Sequence, residues 1–165
     1  MLRIVKLNLY NFKLFRALID EWTKYDDKLD IFLSETLKIN KEFKPVDIVQ
    51  IIQKEEKRQY MNVNPGTLYF LFDTNENAFV GFSRVSFTIV EEDNEDFNIE
   101  AKICPKFKNR NYESVFIDLL SKIFKERNNF LPIYRFYKED ITFCEILHSK
   151  NMSLVKSTDK YIFFK

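Results

Sequence analysis

Lys106, Lys108 and Arg110 stand at alternate positions in "CPKFKNRNYESVF", residues Cys104 to Phe116. Pro105 ends a predicted strand just before them, and Asn111 and Tyr112 open a predicted helix just after them. A helix start carries unpaired N–H groups and a partial positive charge. With basic side chains beside it, such a start can hold a phosphate. Phosphate loops of this kind normally use glycine, and this one has none. Asparagine is the best non-glycine residue for a left-handed backbone, so Asn109 and Asn111 are able to keep a backbone cradle. The same stretch also reads as an ordinary solvated turn between a strand and a helix.

The elements around the loop follow from periodicity. Leu2 to Leu7 alternates as a strand does. Asn11 is the expected cap of a helix to about Tyr25, which buries Phe15, Leu18, Ile19 and Trp22. A short helix is expected near Ile31 to Leu37. Pro45 and Asp47 open a further helix to about Tyr60. "NVNPGT", Asn62 to Thr67, is a turn cluster. Leu68 to Phe72 reads as a central strand, "DTNEN" as a hairpin loop, and Phe79 to Val90 as a longer strand. Gly81 inside that strand points to a bulge or a close backbone approach. The acidic run "EEDNED", Glu91 to Asp96, reads as a loop before a strand from Phe97 to Cys104. A helix from Tyr112 to about Arg127 has a clear apolar stripe. Ile133 to Tyr137 is a strand, Asp140 the expected cap of a helix to about Lys150, and Met152 to Lys156 and Tyr161 to Phe164 are closing strands. The order is β-α-α-β-β-β-α-β-α-β-β, read as one α/β domain over residues 1–165.

Composition narrows the function. The chain has 165 residues with 26 basic and 25 acidic side chains, a net charge of +1. That balance gives no general attraction to nucleic acid or an anionic membrane. No stretch approaches the roughly 18 apolar residues of a membrane span, and no signal peptide is expected. The 2 cysteines are far apart and the 1 histidine, His148, has no companion, so no metal site is expected. A cytoplasmic, reducing location follows. With 2 glycines among 165 residues, asparagine is expected to fill many left-handed positions, and its abundance equally fits a biased genome composition.

The element order, the segment "GTLYFLFDTNENAFVGFSRVSF" and the loop spacing together resemble the GNAT superfamily of acyltransferases. The resemblance runs from about Leu2 to Phe164. It implies an α/β (α+β) fold with a central, mixed, mostly antiparallel sheet flanked by helices. Its acyl-CoA loop has the form Q/R-x-x-G-x-G/A. Here Lys106 takes the leading position, and Asn109 and Asn111 take the glycines. A second motif, N-x-x-A-x-x-x-Y-x-x-x-G-F, places Asp140 at its Asn, Phe143 at its Ala, Leu147 at its Tyr, Asn151 at its Gly and Met152 at its Phe. The Tyr that protonates the leaving thiolate in many relatives is therefore leucine here.

The resemblance implies acetyl-CoA as donor and a small-molecule or protein amine as acceptor. It also implies roles for particular residues. Ile103, Cys104, Lys106, Lys108, Asn109, Arg110, Asn111, Tyr112 and Asp140 are the expected acyl-CoA contacts, with the Ile103 and Cys104 amides on the thioester arm. Glu100 is the expected proton acceptor, and Tyr137, with Tyr134 as an alternative, the expected replacement acid. His148 is expected on the surface. The competing reading is a GNAT-like domain that has lost turnover and serves as a CoA-binding or protein-interaction module. The acceptor and the oligomeric state are not encoded in any pattern we find.

Overall fold

The computed structural model describes residues 1–25, 44–59, 68–91, 94–108, 110–128 and 132–165. The expected helix near Ile31 to Leu37, the turn cluster from Asn62 to Thr67, and Asn109 lie outside the described residues. Among the described residues, seven strands form one sheet in the order β1-β2-β3-β4-β5-β7-β6. They are β1 (Leu2–Lys6), β2 (Leu68–Asp73), β3 (Ala78–Glu91), β4 (Asn94–Ile103), β5 (Ile133–Tyr137), β6 (Leu154–Ser157) and β7 (Tyr161–Phe164). The helices are α1 (Phe12–Trp22), α2 (Pro45–Gln59), α3 (Tyr112–Asn128) and α4 (Ile141–Ser149). A 3₁₀ turn, Pro105–Phe107, follows β4. All strand pairs are antiparallel except β4 with β5.

Large apolar side chains set the layers. Phe15 and Trp22 of α1 meet Phe70 and Phe82 edge-on, with ring centroids 5.6 and 5.3 Å apart. On the opposite side α3 packs against β1, β4 and α4. Phe136 of β5 stacks on Phe143 of α4 at 4.4 Å. In α2, Pro45 takes the first helical position, and the Asp47 carboxylate accepts the Lys44 N–H at 2.7 Å. That is half of a capping box.

Asparagine does replace glycine where the backbone needs it. Among the described residues, the non-glycine positions with positive φ are Asn77, Asn111 and Asn151, at 49°, 59° and 59°. Asn151 ends α4 in a Schellman motif. The Met152 N–H donates to the Leu147 carbonyl at 3.1 Å and the Asn151 N–H to His148 at 3.0 Å.

Gly81 shows both features expected of it. The β2–β3 register moves from Leu71↔Gly81 to Phe72↔Phe79, which leaves Val80 as the extra residue of a bulge. A Cβ on Gly81 would lie 2.5 Å from the Lys102 carbonyl oxygen and 2.6 Å from Ile103 Cδ1. Gly81→Ala is therefore expected to destabilise the fold by about 1–3 kcal/mol, the usual cost of overpacking. A urea midpoint equal to that of the wild type would contradict this close approach.

Three local expectations are corrected. The acidic run is not a wide loop, since β3 extends to Glu91 and β4 begins at Asn94, paired with it. Asn11 makes no side-chain cap for α1. Its amide instead donates to the Lys6 carbonyl at 2.8 Å and its oxygen accepts the Asn8 N–H at 2.9 Å, which fixes the β1–α1 turn. Asp140 makes no side-chain cap for α4 either. A cation on β4 takes its carboxylate.

Candidate active site

The site begins where two parallel strands part. β4 and β5 pair only at Asn98↔Ile133 and Ile99↔Tyr134. Beyond those pairs β4 continues to Ile103 and β5 to Tyr137 without pairing to each other. A cleft of about 700 Å³ opens there. This lies within the range of small-molecule sites, roughly 300–1,000 Å³. Lys102 and Ile103 of β4 and Tyr137 of β5 border it. Asp140, Thr142 and Phe143 come from α4 and the residue before it, Glu113 and Lys108 from the start of α3 and its loop, and Trp22 and Tyr25 from the end of α1 and the turn after it.

The backbone separates the two expected amide donors. The Cys104 N–H donates to the Val80 carbonyl at 2.9 Å, and its side chain is fully buried. Alternate amides of a strand point to opposite edges. The Ile103 N–H therefore turns towards the β5 edge, where the strands have parted. Of the two amides expected on a thioester arm, that of Ile103 faces the parted edge and that of Cys104 faces β3.

The basic loop divides in the same way. Arg110 leaves the cleft for the β2–β3 turn, with one guanidinium nitrogen 2.6 Å from Glu76 Oε1. Lys106 Nζ lies 3.6 Å from Glu21 Oε1 on α1. Lys108 borders the cleft, and Asn111 supplies a left-handed residue at the helix start. The Tyr112 hydroxyl donates to Asp73, which holds that carboxyl below the usual carboxylate range. Burial, and then this bond, push the Tyr112 hydroxyl up. Tyr112 thus ties α3 to the end of β2 rather than facing the cleft.

The proton-transfer candidates are also sorted by the fold. The Glu100 carboxylate is ion-paired with Arg135 of β5, and Glu100 is 8% exposed. It borders a small gap beside the main cleft, not the cleft itself. A carboxylate held by a guanidinium is a weak proton acceptor. Tyr134 is fully buried against α3, with its hydroxyl at Ser121 Oγ and 3.2 Å from the Ile117 carbonyl. Burial raises its pKa strongly. Tyr137, on the opposite face of β5, does reach the cleft. Its ring lies against Tyr161, 4.8 Å away, with Lys102 Nζ 4.7 Å and Lys160 Nζ 5.2 Å from its centroid. Leu147 is fully buried and His148 is exposed.

One contact was not legible in the sequence. Lys102 Nζ lies 3.3 Å from Asp140 Oδ2, which joins β4 to the start of α4 across the parted strands. The two residues are 38 apart, and only the alternation that puts Lys102 on the Glu100 face hinted at its direction.

No family model matches the chain, and its sequence matches no curated protein. Its fold, however, is shared with many solved structures. The ribosomal-protein-S5-alanine acetyltransferase of Vibrio fischeri is similar at a TM-score of 0.71 and 9% identity, over 99% of this chain and 91% of that one. The spermidine/spermine N-acetyltransferase SpeG of Vibrio cholerae is similar at 0.61 and 10%, over 100% and 92%. The N-acetyltransferase PseH of Campylobacter jejuni, solved with acetyl coenzyme A, is similar at 0.57 and 8%, over 99% and 96%. The chain has the GNAT acyltransferase fold.

Proposed function

We propose that this chain is an acetyl-CoA-dependent N-acetyltransferase acting on an amine. The parting of β4 from β5 over an open cleft carries this reading. Two strands that stay paired leave no free backbone edge. Here the edge is exposed beside a cavity, and Ile103 N–H points to it. An amide so placed can polarise a thioester carbonyl and hold it for attack. Bound acetyl-CoA supplies the activated acyl group, and a thiol leaves. Since thiol pKa values lie near 8.5, departure needs little acid help. We assign that proton to the Tyr137 hydroxyl, which borders the cleft, given that Leu147 has none to give. Lys108 and the Asn111 turn would face the phosphates. The acceptor amine would enter over Tyr137 and Tyr25.

Similar proteins support an amine acceptor of either size, since they are named for acetylating a polyamine and a ribosomal protein. We place the chain in the cytoplasm as a single domain over residues 1–165. Two free cysteines agree with a reducing compartment. Among the described residues no helix is long and apolar enough to cross a membrane.

A second reading, a GNAT-shaped module without turnover, is favoured by buried Leu147 and by the ion pairs of Lys106, Arg110 and Glu100. Calorimetry with acetyl-CoA, joined to thiol release over a panel of polyamines, amino acids and peptide N-termini, separates the two. Binding with thiol release supports the enzyme, whereas binding without release from any amine supports the module. Absence of binding at millimolar acetyl-CoA overturns the enzyme and the CoA-binding module alike, and leaves the protein-interaction module.

A further inference from the structure

Glu113 lies in the first turn of α3 and borders the cleft, yet it is only 5% exposed. Among the described residues no cation is paired with it. An acid in the first turn satisfies the helix dipole, which is the task a bound phosphate would otherwise perform. Two basic side chains of the loop before it are directed elsewhere, Arg110 to Glu76 and Lys106 to Glu21. Lys108 alone of the three borders the cleft with Glu113. The formal charges of that pair cancel.

From this geometry we infer that Glu113 is a specificity-determining residue that offsets the hold of the cleft on the donor's diphosphate. Recognition of the donor then comes mainly from its uncharged thioester arm along β4. The inference rests on the proposed acyl-thioester site and adds to it which part of the donor is read. A negative side chain within a few ångströms of a diphosphate is unfavourable by a large factor even after solvent screening. Lysines and carboxylates line the cleft in equal number, four of each, which also removes most of the salt dependence that phosphate binding normally brings.

The test compares acetyl-CoA with S-acetyl-pantetheine, which has the same thioester arm and no phosphate. Wild-type protein is expected to bind the two within about threefold of each other. Glu113→Gln is expected to tighten acetyl-CoA by about tenfold and to leave S-acetyl-pantetheine unchanged. Lys108→Ala is expected to weaken acetyl-CoA alone. Wild-type affinity for acetyl-CoA should also change by less than about twofold between low and high salt, a reading that needs no variant. If wild-type protein prefers acetyl-CoA by tenfold or more and Glu113→Gln leaves that preference in place, the role of Glu113 is overturned while the acyl-transfer reading stands. If neither donor binds wild type or variant, both fall.

Discussion

Arg135→Ala should lower stability by about 2–4 kcal/mol, because it strands the Glu100 carboxylate in a nearly closed place. The pair joins β4 to β5 just past the point where their backbone pairing ends. Glu100 is 8% exposed, so water cannot replace the guanidinium easily. Arg135 also lies over the Tyr161 ring, with its guanidinium carbon 4.8 Å from the centroid. Removing one partner of a buried pair is costly, whereas replacing both with neutral groups of similar shape often is not. Glu100→Gln combined with Arg135→Met should therefore recover most of the loss. Urea unfolding of the single and double variants checks this. The same pair of variants tests the role of Glu100 in chemistry. If the carboxylate is structural, the double variant keeps turnover, and loss of turnover at full stability would return Glu100 to the position of proton acceptor.

Trp22→Ala is the second large effect, about 3–5 kcal/mol. Trp22 is 1% exposed and meets Phe82 edge-on at 5.3 Å. It belongs to both the core and the wall of the cleft. Truncation leaves a cavity that the flanking aromatics of α1 and β3 cannot fill. A drop in melting temperature of roughly 10 °C is expected for a chain of this size. Donor affinity should fall with it, because the cavity joins the cleft and removes one of its walls. Trp22→Phe should keep most of the stability and separate the two effects. A melting temperature for Trp22→Ala within 2–3 °C, or about one kcal/mol, of wild type would refute this packing.

The order of strands and helices was legible because each element carries its own period. Ile99, Ala101 and Ile103 alternate on β4, and Phe116, Leu120 and Phe124 recur along α3, all of them buried. Asparagine as a stand-in for glycine was also legible, since the need for positive φ is local. Asn111 and Asn151 meet that need at two of the three places where the resemblance puts glycine, and the third, Asn109, lies outside the described residues.

Partners across the fold were not legible. Arg110 and Lys106 looked like phosphate ligands, because nothing in the sequence announces Glu76 or Glu21 as their neighbours. Those contacts exist only after the β2–β3 turn and α1 have come to the loop. Asp140 had the right type and place for a cap, but Lys102 competes for its carboxylate with a full charge. Tyr134 and Tyr137 could not be told apart, because the run "IYRFY" has apolar or aromatic residues on both faces. The sheet decides between them, sending Tyr134 towards α3 and Tyr137 to the cleft.

The central claim is that the parted edge of β4 is the binding edge for an acyl thioester. An amide-resolved NMR titration of the protein with acetyl-CoA tests it most directly. The account predicts saturable shifts at Ile103, Tyr137 and Lys108, with the β1–β2 amides of Ile4 and Phe70 unmoved. Shifts confined to other surfaces, or none at millimolar acetyl-CoA, would contradict it.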